Sequence, residues 1–446
     1  RSIVSWTRGP PGSVTATRFC IAISPSFSVP AGPSRRRGRR ASHPTPTRSS
    51  TQPEPTTLCR SCVDSGSWVQ VRGGVVRSAM LPRRFDRGTR MTDANTTDPV
   101  LTPVRAGHEF DQSALLRFLA ANADGFGDDL EVLQFEGGQS NPTFLLKSAG
   151  REYVLRKQPP GELLPSAHQV DREYRVMHAL GATDVPVPRM IALCEDPDVI
   201  GTKFYVMEKV EGRVLTDLQL PDESKDDRRA IYLDLVSVLA KLHRVDPEAV
   251  GLGTFGKPGN YYARQISRWS RQYEASKTED IEAMDRLLAW LPDRIPESDE
   301  TRVVHGDYRL GNVILHPTEP RIVAVLDWEL STLGHPLADL GYLCMDYHSP
   351  GYEGQGLGSL PSLTEHGIPT EDEMLERYCA ETGRDGIENW PFYLAYNLFR
   401  SAAIIQGVYK RGLDGNASST KALEYKEVCR MRSELAWSLV EQAGLA

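Results

Sequence analysis

His305-Gly306-Asp307-Tyr308-Arg309-Leu310-Gly311-Asn312 is followed, fifteen residues after Asn312, by Asp327 at the end of the apolar run Val323-Ala324-Val325-Leu326. Val303-Val304, Val313-Ile314-Leu315 and Ile322 to Leu326 are short β-branched runs, with turn chemistry in Pro317-Thr318-Glu319-Pro320 between the last two. The polar residues therefore fall on loops at strand ends. An acid, an amide five positions on and a second acid closing an apolar strand is what phosphoryl transfer from a magnesium nucleotide requires. In that pattern Asp307 is the expected catalytic base for a substrate hydroxyl. Asn312 and Asp327 are the expected ligands of Mg2+, a hard cation that takes oxygen donors. Each residue alone has a plainer reading, since an Asp after a strand commonly caps or turns. The set H-x-D-x4-N with a second Asp and flanking strands is far more specific.

The upstream sequence supplies what a nucleotide lobe needs. Val132 to Phe135 and Thr143 to Leu146 are expected strands, joined by Gly137-Gly138-Gln139-Ser140-Asn141-Pro142. Adjacent glycines let a backbone approach phosphate oxygens, so Gly138, Gln139, Ser140 and Asn141 are candidate ATP contacts, although a Gly-Gly hairpin is more often only a turn. The strand Glu152 to Lys157 alternates, which puts Val154 and Arg156 on one face and Leu155 and Lys157 on the other. In a kinase one face offers a small apolar side chain to adenine and a cation to the phosphates. Next, Ser166-Ala167-His168-Gln169 reads as a capping box and Gly181 as a stop, around a helical stripe of Val170, Met177 and Leu180. Glu173 falls inside that stripe. A buried carboxylate needs a partner, and Arg156 or Lys157 is the expected one; the alternative is a solvated Glu173 at the edge of the stripe. Phe204 to Gly212 is the expected hinge, with Glu208 and Val210 at the adenine edge.

On these motifs, from about Leu115 to the C-terminus, the chain resembles the aminoglycoside phosphotransferase and choline kinase-like superfamily. Gly137 to Thr143, Tyr153 to Lys157, Ser166 to Val170, His305 to Asn312 and Leu326 to Gly334 look more closely like the kinase domain fused to acyl-CoA dehydrogenases. Free-standing bacterial relatives are often labelled aminoglycoside phosphotransferases. The resemblance implies an α+β, two-lobed protein-kinase-like fold. It has a small antiparallel-sheet N-lobe over 115–212 and a larger, mainly helical C-lobe over 213–446, preceded by an extension over 91–114. It implies the roles given above for Asp307, Asn312, Asp327 and Glu173, with Asp339 as a structural acid under the catalytic loop. Two departures stand out: the phosphate cation aligns with Arg156 where the wider pattern has Lys, and Asp327-Trp328-Glu329 replaces Asp-Phe-Gly. Arg offers a planar fork where Lys offers a point charge, which leaves Arg156 open against Lys157. For Glu329 a surface or strand-end role is expected over metal assistance.

Residues 1–90 do not match the rest. They hold sixteen Arg, no Lys and three acids, so they carry +13 of a whole-chain net charge of −7 and leave −20 for residues 91–446. A disordered leader is expected there, read either as translated sequence ahead of a start near Met91 or as an organellar transit segment. The acidic remainder disfavours nucleic acid as a partner. Cys194, Cys344, Cys379 and Cys429 are expected to be reduced packing residues. No eighteen-residue apolar run exists, so no membrane span is expected. A cytoplasmic protein follows by default, or a mitochondrial one if the leader is genuine.

Helices are expected over Ile231 to His243, Tyr261 to Tyr273 and Trp390 to Lys410. Arg264, Arg268 and Arg271 share one face, and Arg400 lies in mid-helix. The arginines read either as a seat for an anionic substrate or as a solvated face. Two functions remain open. One is an ATP-dependent kinase for a small-molecule hydroxyl, either a hydroxyacyl-CoA, with a functional link to acyl-CoA dehydrogenase, or an amino sugar. The other is a nucleotide-binding pseudokinase without turnover.

Overall fold

The computed structural model describes residues 100–136, 141–161, 168–351, 356–416 and 420–446. The leader, Gly137 to Ser140 and Ser166 lie outside them, and with them the candidate contacts Gly138, Gln139 and Ser140.

The first half begins with strand β1 (Leu101–Thr102), helix α1 (Gln112–Asn122) and strands β2 (Glu131–Phe135), β3 (Thr143–Ser148) and β4 (Arg151–Lys157). Helix α2 (Val170–Leu180) and strands β5 (Met190–Cys194) and β6 (Phe204–Glu208) complete it. The strands form one six-stranded antiparallel sheet in the order β1-β2-β3-β4-β6-β5. Alternation along β4 divides it as expected. Leu155 packs with Phe144, Phe204 and the i, i+4 pair Leu115 and Leu119 of α1. On that same face the Lys157 amine lies 5.6 Å from the centre of the Phe110 ring. Arg156 points the opposite way, toward α2.

Helix α2 starts later than a capping box at Ser166 implies. His168 takes a left-handed conformation with φ +57°, and Gln169 occupies the N-cap position without a side-chain capping hydrogen bond to the helix. The reason is a competing anchor: His168 Nδ1 lies 3.0 Å from Asn141 Oδ1, and the His168 carbonyl accepts from Gln158 Nε2 at 2.9 Å. The apolar stripe is buried as expected, and Gly181 follows the last helical residue.

The chain then crosses to the helical half at Gly212, where a Cβ would stand 2.2 Å from the Leu315 carbonyl. Only glycine permits that approach. Arg213 and Leu315 exchange two backbone hydrogen bonds of 2.8 Å, which fix the crossing to the catalytic region. Helices α3 (Lys225–Arg244), α4 (Tyr261–Ser276) and α5 (Glu282–Asp293) precede strands β7 (Arg302–Val304), β8 (Val313–Leu315), β9 (Ile322–Val325) and β10 (Thr332–Gly334). Helices α6 (Leu337–Cys344), α7 (Glu371–Thr382), α8 (Trp390–Leu413) and α9 (Lys426–Gln442) follow. The four strands form two ribbons, β8 with β9 and β10 with β7. Helix α3 begins before its apolar stretch because Ser224 caps it, accepting from Asp227 N at 3.1 Å. Cys194, Cys344 and Cys429 are buried free thiols. Among the described residues no helix is long and apolar enough to cross a membrane.

Candidate active site

The ribbon β7–β10 delivers His305 directly into the loop. Gly306 has φ +85°, and a Cβ there would lie 2.7 Å from the Leu330 carbonyl, so both conformation and space demand glycine. Asp339 of α6 lies beneath, accepting from His305 N at 2.6 Å and from Gly306 N at 2.9 Å. His243 approaches Asp339 at 3.4 Å, and its other ring nitrogen lies 2.7 Å from the Tyr378 hydroxyl. Burial pushes the Asp339 carboxyl up, but the contact with His243, the neighbouring His305 ring and the Gly306 amide outweigh it and hold it below the usual range. This is the structural role expected of Asp339.

His305 joins the two acidic loops. Its Nε2 donates to the Leu326 carbonyl at 2.8 Å, and its Nδ1 accepts from the Asp307 amide at 3.2 Å, which fixes the Nε2-protonated tautomer. Asp307 is 8% exposed. Asn312 donates through Nδ2 to Asp307 Oδ2 at 2.9 Å and to the Asp307 carbonyl at 2.8 Å. The Leu326 amide donates to the Asn312 carbonyl at 2.8 Å, so Asn312 and Asp327 are neighbours by construction.

Asp327 sits in the left-handed region at φ 63°, which Asp tolerates better than most side chains. The turn places its Oδ1 3.1 Å from Arg156 Nη2. Arg156 Nε lies 3.0 Å from Glu173 Oε2, a contact of charge without hydrogen-bond alignment. Glu173 is buried and accepts from Asn141 Nδ2 at 2.8 Å and from the Tyr205 hydroxyl at 3.0 Å. Burial raises the Glu173 carboxyl, with Arg156 acting against it. Burial also opposes the Arg156 charge, but Glu173 and Asp327 outweigh that and hold the guanidinium protonated. Among the two candidates, the partner of Glu173 is therefore Arg156.

Other expectations fare differently. Val154 is buried on the Arg156 face and belongs to neither apolar cluster. Asn141 is fully buried just before β3 and bonds Glu173 of α2 and His168. Glu208 turns its carboxylate outward onto Arg189, accepting from its amide at 2.9 Å, so its side chain is occupied away from the strand face. Val210 is half-buried just past β6. The surface or strand-end expectation for Glu329 is corrected: the short turn after Asp327 brings its carboxylate 3.5 Å from Arg156 Nη2.

Three side chains beside Asp307 were not among the expected site residues. Arg400, buried in α8, donates to the Gly306 carbonyl at 2.5 Å and lies over the rings of Tyr342 and Trp269. Arg309 Nε approaches Asp307 Oδ2 at 3.6 Å. Tyr342 stands nearby, and burial and the Asp307 charge push its phenol up. Arg268 is partly solvent-exposed and stacks beside Trp269 at 5.2 Å; its crowded surroundings and the like charge of Arg400 lower its pKa. Arg264 and Arg271 instead bond within their own region, to the Lys257 carbonyl and the Ser267 hydroxyl.

The donor set of Asn312 and Asp327 is oxygen only on the side away from Asp307 and Arg156, and this suits a hard cation. Among the described residues no group of three or more His, Cys, Asp or Glu could hold an ion by itself. A bound Mg2+ would complete its shell with phosphate and water, as such ions usually do.

The phosphotransferase enzyme family matches residues 131–379. The chain is 44% identical over 354 residues to acyl-CoA dehydrogenase family member 10 of Mus musculus, covering 78% of this chain and 33% of the relative. It is 42% identical over 361 residues to family member 11 of Homo sapiens, covering 78% and 45%. The chain thus spans less than half the length of these curated relatives. A crystal structure from Ralstonia eutropha, provisionally assigned as an aminoglycoside phosphotransferase, is 49% identical with a TM-score of 0.70, covering 75% of this chain and 99% of that one. A spectinomycin phosphotransferase solved with ADP and spectinomycin, at 14% identity and a TM-score of 0.51, shares the fold.

Proposed function

We propose, from the premise that the chain belongs to the phosphotransferase enzyme family and is a small-molecule kinase, that it transfers the γ-phosphate of ATP to the hydroxyl of a hydroxyacyl-CoA. The observation that carries this acceptor is the basic set around Asp307. Arg309, Arg400 and, further out, Arg268 lie on its side of the loop. They complement the phosphates of a coenzyme A thioester and repel a polycationic amino sugar. The names of the acyl-CoA dehydrogenase relatives support the same reading and suggest a functional link to such a dehydrogenase.

In this reading Asp307 accepts the proton as the substrate oxygen bonds the γ-phosphorus and the bond to the β-phosphate oxygen breaks, releasing ADP. Asn312 holds the Asp307 carboxylate in place, and the Arg309 guanidinium stands beside it. Arg156, braced by Glu173, presents its guanidinium to the α- and β-phosphates, and Val154 lies under adenine, with the backbone past Glu208 reading its edge. Mg2+, held by Asn312 and Asp327, neutralises charge on the phosphates when bound.

The test is ATP consumption with 4-hydroxyacyl-CoAs, kanamycin-type amino sugars and choline, each with and without EDTA. Turnover with the acyl-CoAs, abolished by EDTA, is expected. Turnover with amino sugars alone would sink the acceptor assignment. ATP binding without consumption across the panel would favour a pseudokinase.

A further inference from the structure

A cavity of about 480 Å³ lies at the end of the β7–β10 ribbon away from the catalytic loop. Its walls include Trp290, His335, Leu337, Arg384, Phe392 and Tyr393, and none of Asp307, Asn312 or Asp327 lines it. The register explains the separation. Thr332 pairs with Val304 beside the catalytic loop, whereas Gly334 pairs with Arg302. His335 therefore emerges roughly 10 Å away along the strands.

Two donors on this wall lack an acceptor. His335 is 2% exposed, and its Nδ1 accepts from the Leu337 amide at 3.3 Å. Burial holds its pKa down to about 4, so at neutral pH the ring carries its proton on Nε2. That Nε2 has no partner among the described residues, and neither has Arg384 Nε. A buried polar group left unpaired is costly, so two on one cavity wall call for an oxygen acceptor. The walls are flat: the His335 ring lies 23° from parallel to Tyr393, and Trp290 and Phe392 add aromatic surface. The Arg384 charge is already matched by Glu300, and Arg294, Glu297 and Glu388 stand at the exposed rim.

The geometry points to a second small-molecule site here, for an uncharged flat ring bearing a carbonyl or carboxamide oxygen that accepts from His335 Nε2 and Arg384 Nε. The site is separate from those proposed for nucleotide and acceptor.

Benzamide is a suitable probe, titrated into the full chain by saturation-transfer NMR. Three variants accompany the wild type. His335→Phe keeps the ring and removes the donor, and His335→Gln restores a donor. Gly386→Trp fills the cavity from a position where an added side chain meets open space. Millimolar binding that saturating ATP does not displace is expected, in line with so small a ligand. His335→Phe and Gly386→Trp should weaken it about tenfold or more, the scale of one unpaired donor. His335→Gln should recover most of it. Benzoate should bind more weakly than benzamide. No saturable binding, displacement by ATP, or equal affinity in the Phe and Trp variants would overturn the site, and tighter benzoate binding would overturn its uncharged ligand. Folding of each variant is verified by its melting temperature.

Discussion

Arg156 is the side chain on which the two halves of the candidate site meet, contacting Glu173 of α2 and Asp327 and Glu329 beyond β9. Alternation along β4 separated it from Lys157 but could not say which face carries the site. That was decided by α1 and Phe110, which cover the Lys157 face. Replacing it by Lys keeps the charge and loses the planar fork that reaches two carboxylates at once. Arg156→Lys is expected to raise the KM for ATP about tenfold with a smaller effect on kcat, as steady-state kinetics would show. Gly306 makes a second prediction. With φ +85° and the Leu330 carbonyl in the way of any Cβ, Gly306→Ala should cost about 2 kcal/mol or more, read from urea unfolding. An unchanged midpoint would mean that the loop relaxes freely. Glu329 was not legible from sequence because one short turn sets its direction, and no periodicity encodes that.

Among the elements, those with a clear apolar period were readable; α4 and α8 start at Tyr261 and Trp390 as expected, whereas α2 and α3 start elsewhere. Val170, Met177 and Leu180 fixed the buried face of α2, yet its first turn was misplaced because His168 bonds Asn141, 27 residues earlier in the chain. Helix α7 shows the opposite case, a reciprocal capping box between Thr370 and Glu373. Arg229 and the Thr370 amide hold the Glu373 carboxyl down at about 2. A carboxyl lowered from its ordinary range stabilises the fold above about pH 4.5 and loses that contribution as pH falls toward 2. The stability gap between wild type and Glu373→Gln should therefore be constant at neutral pH and close below pH 4.5, measured by denaturant titration. A gap that widens on acidification would contradict this account.

At the scale of the molecule, charge and site disagree in a useful way. Residues 91–446 carry −20, yet arginines gather at Asp307. An acidic body does not by itself favour an anionic acceptor, and in the proposed function it is these arginines that do. The strand-end loops that carry Asp307 and Asp327 were legible from motif spacing, whereas the two-lobed fold and Asp339 came from the family resemblance. The arginines were not assigned because Arg264, Arg268 and Arg271 share a face by period, while only tertiary packing brings Arg400 to the Gly306 carbonyl. The central claim is that Asp307 acts on the acceptor and is not needed to hold the nucleotide. The most direct measurement compares wild type with Asp307→Asn for MgATP affinity and for phosphate transfer in a single turnover. The account predicts nucleotide affinity within about threefold and transfer slowed about 10²- to 10⁴-fold, the usual contribution of a general base. Transfer at the wild-type rate would contradict it.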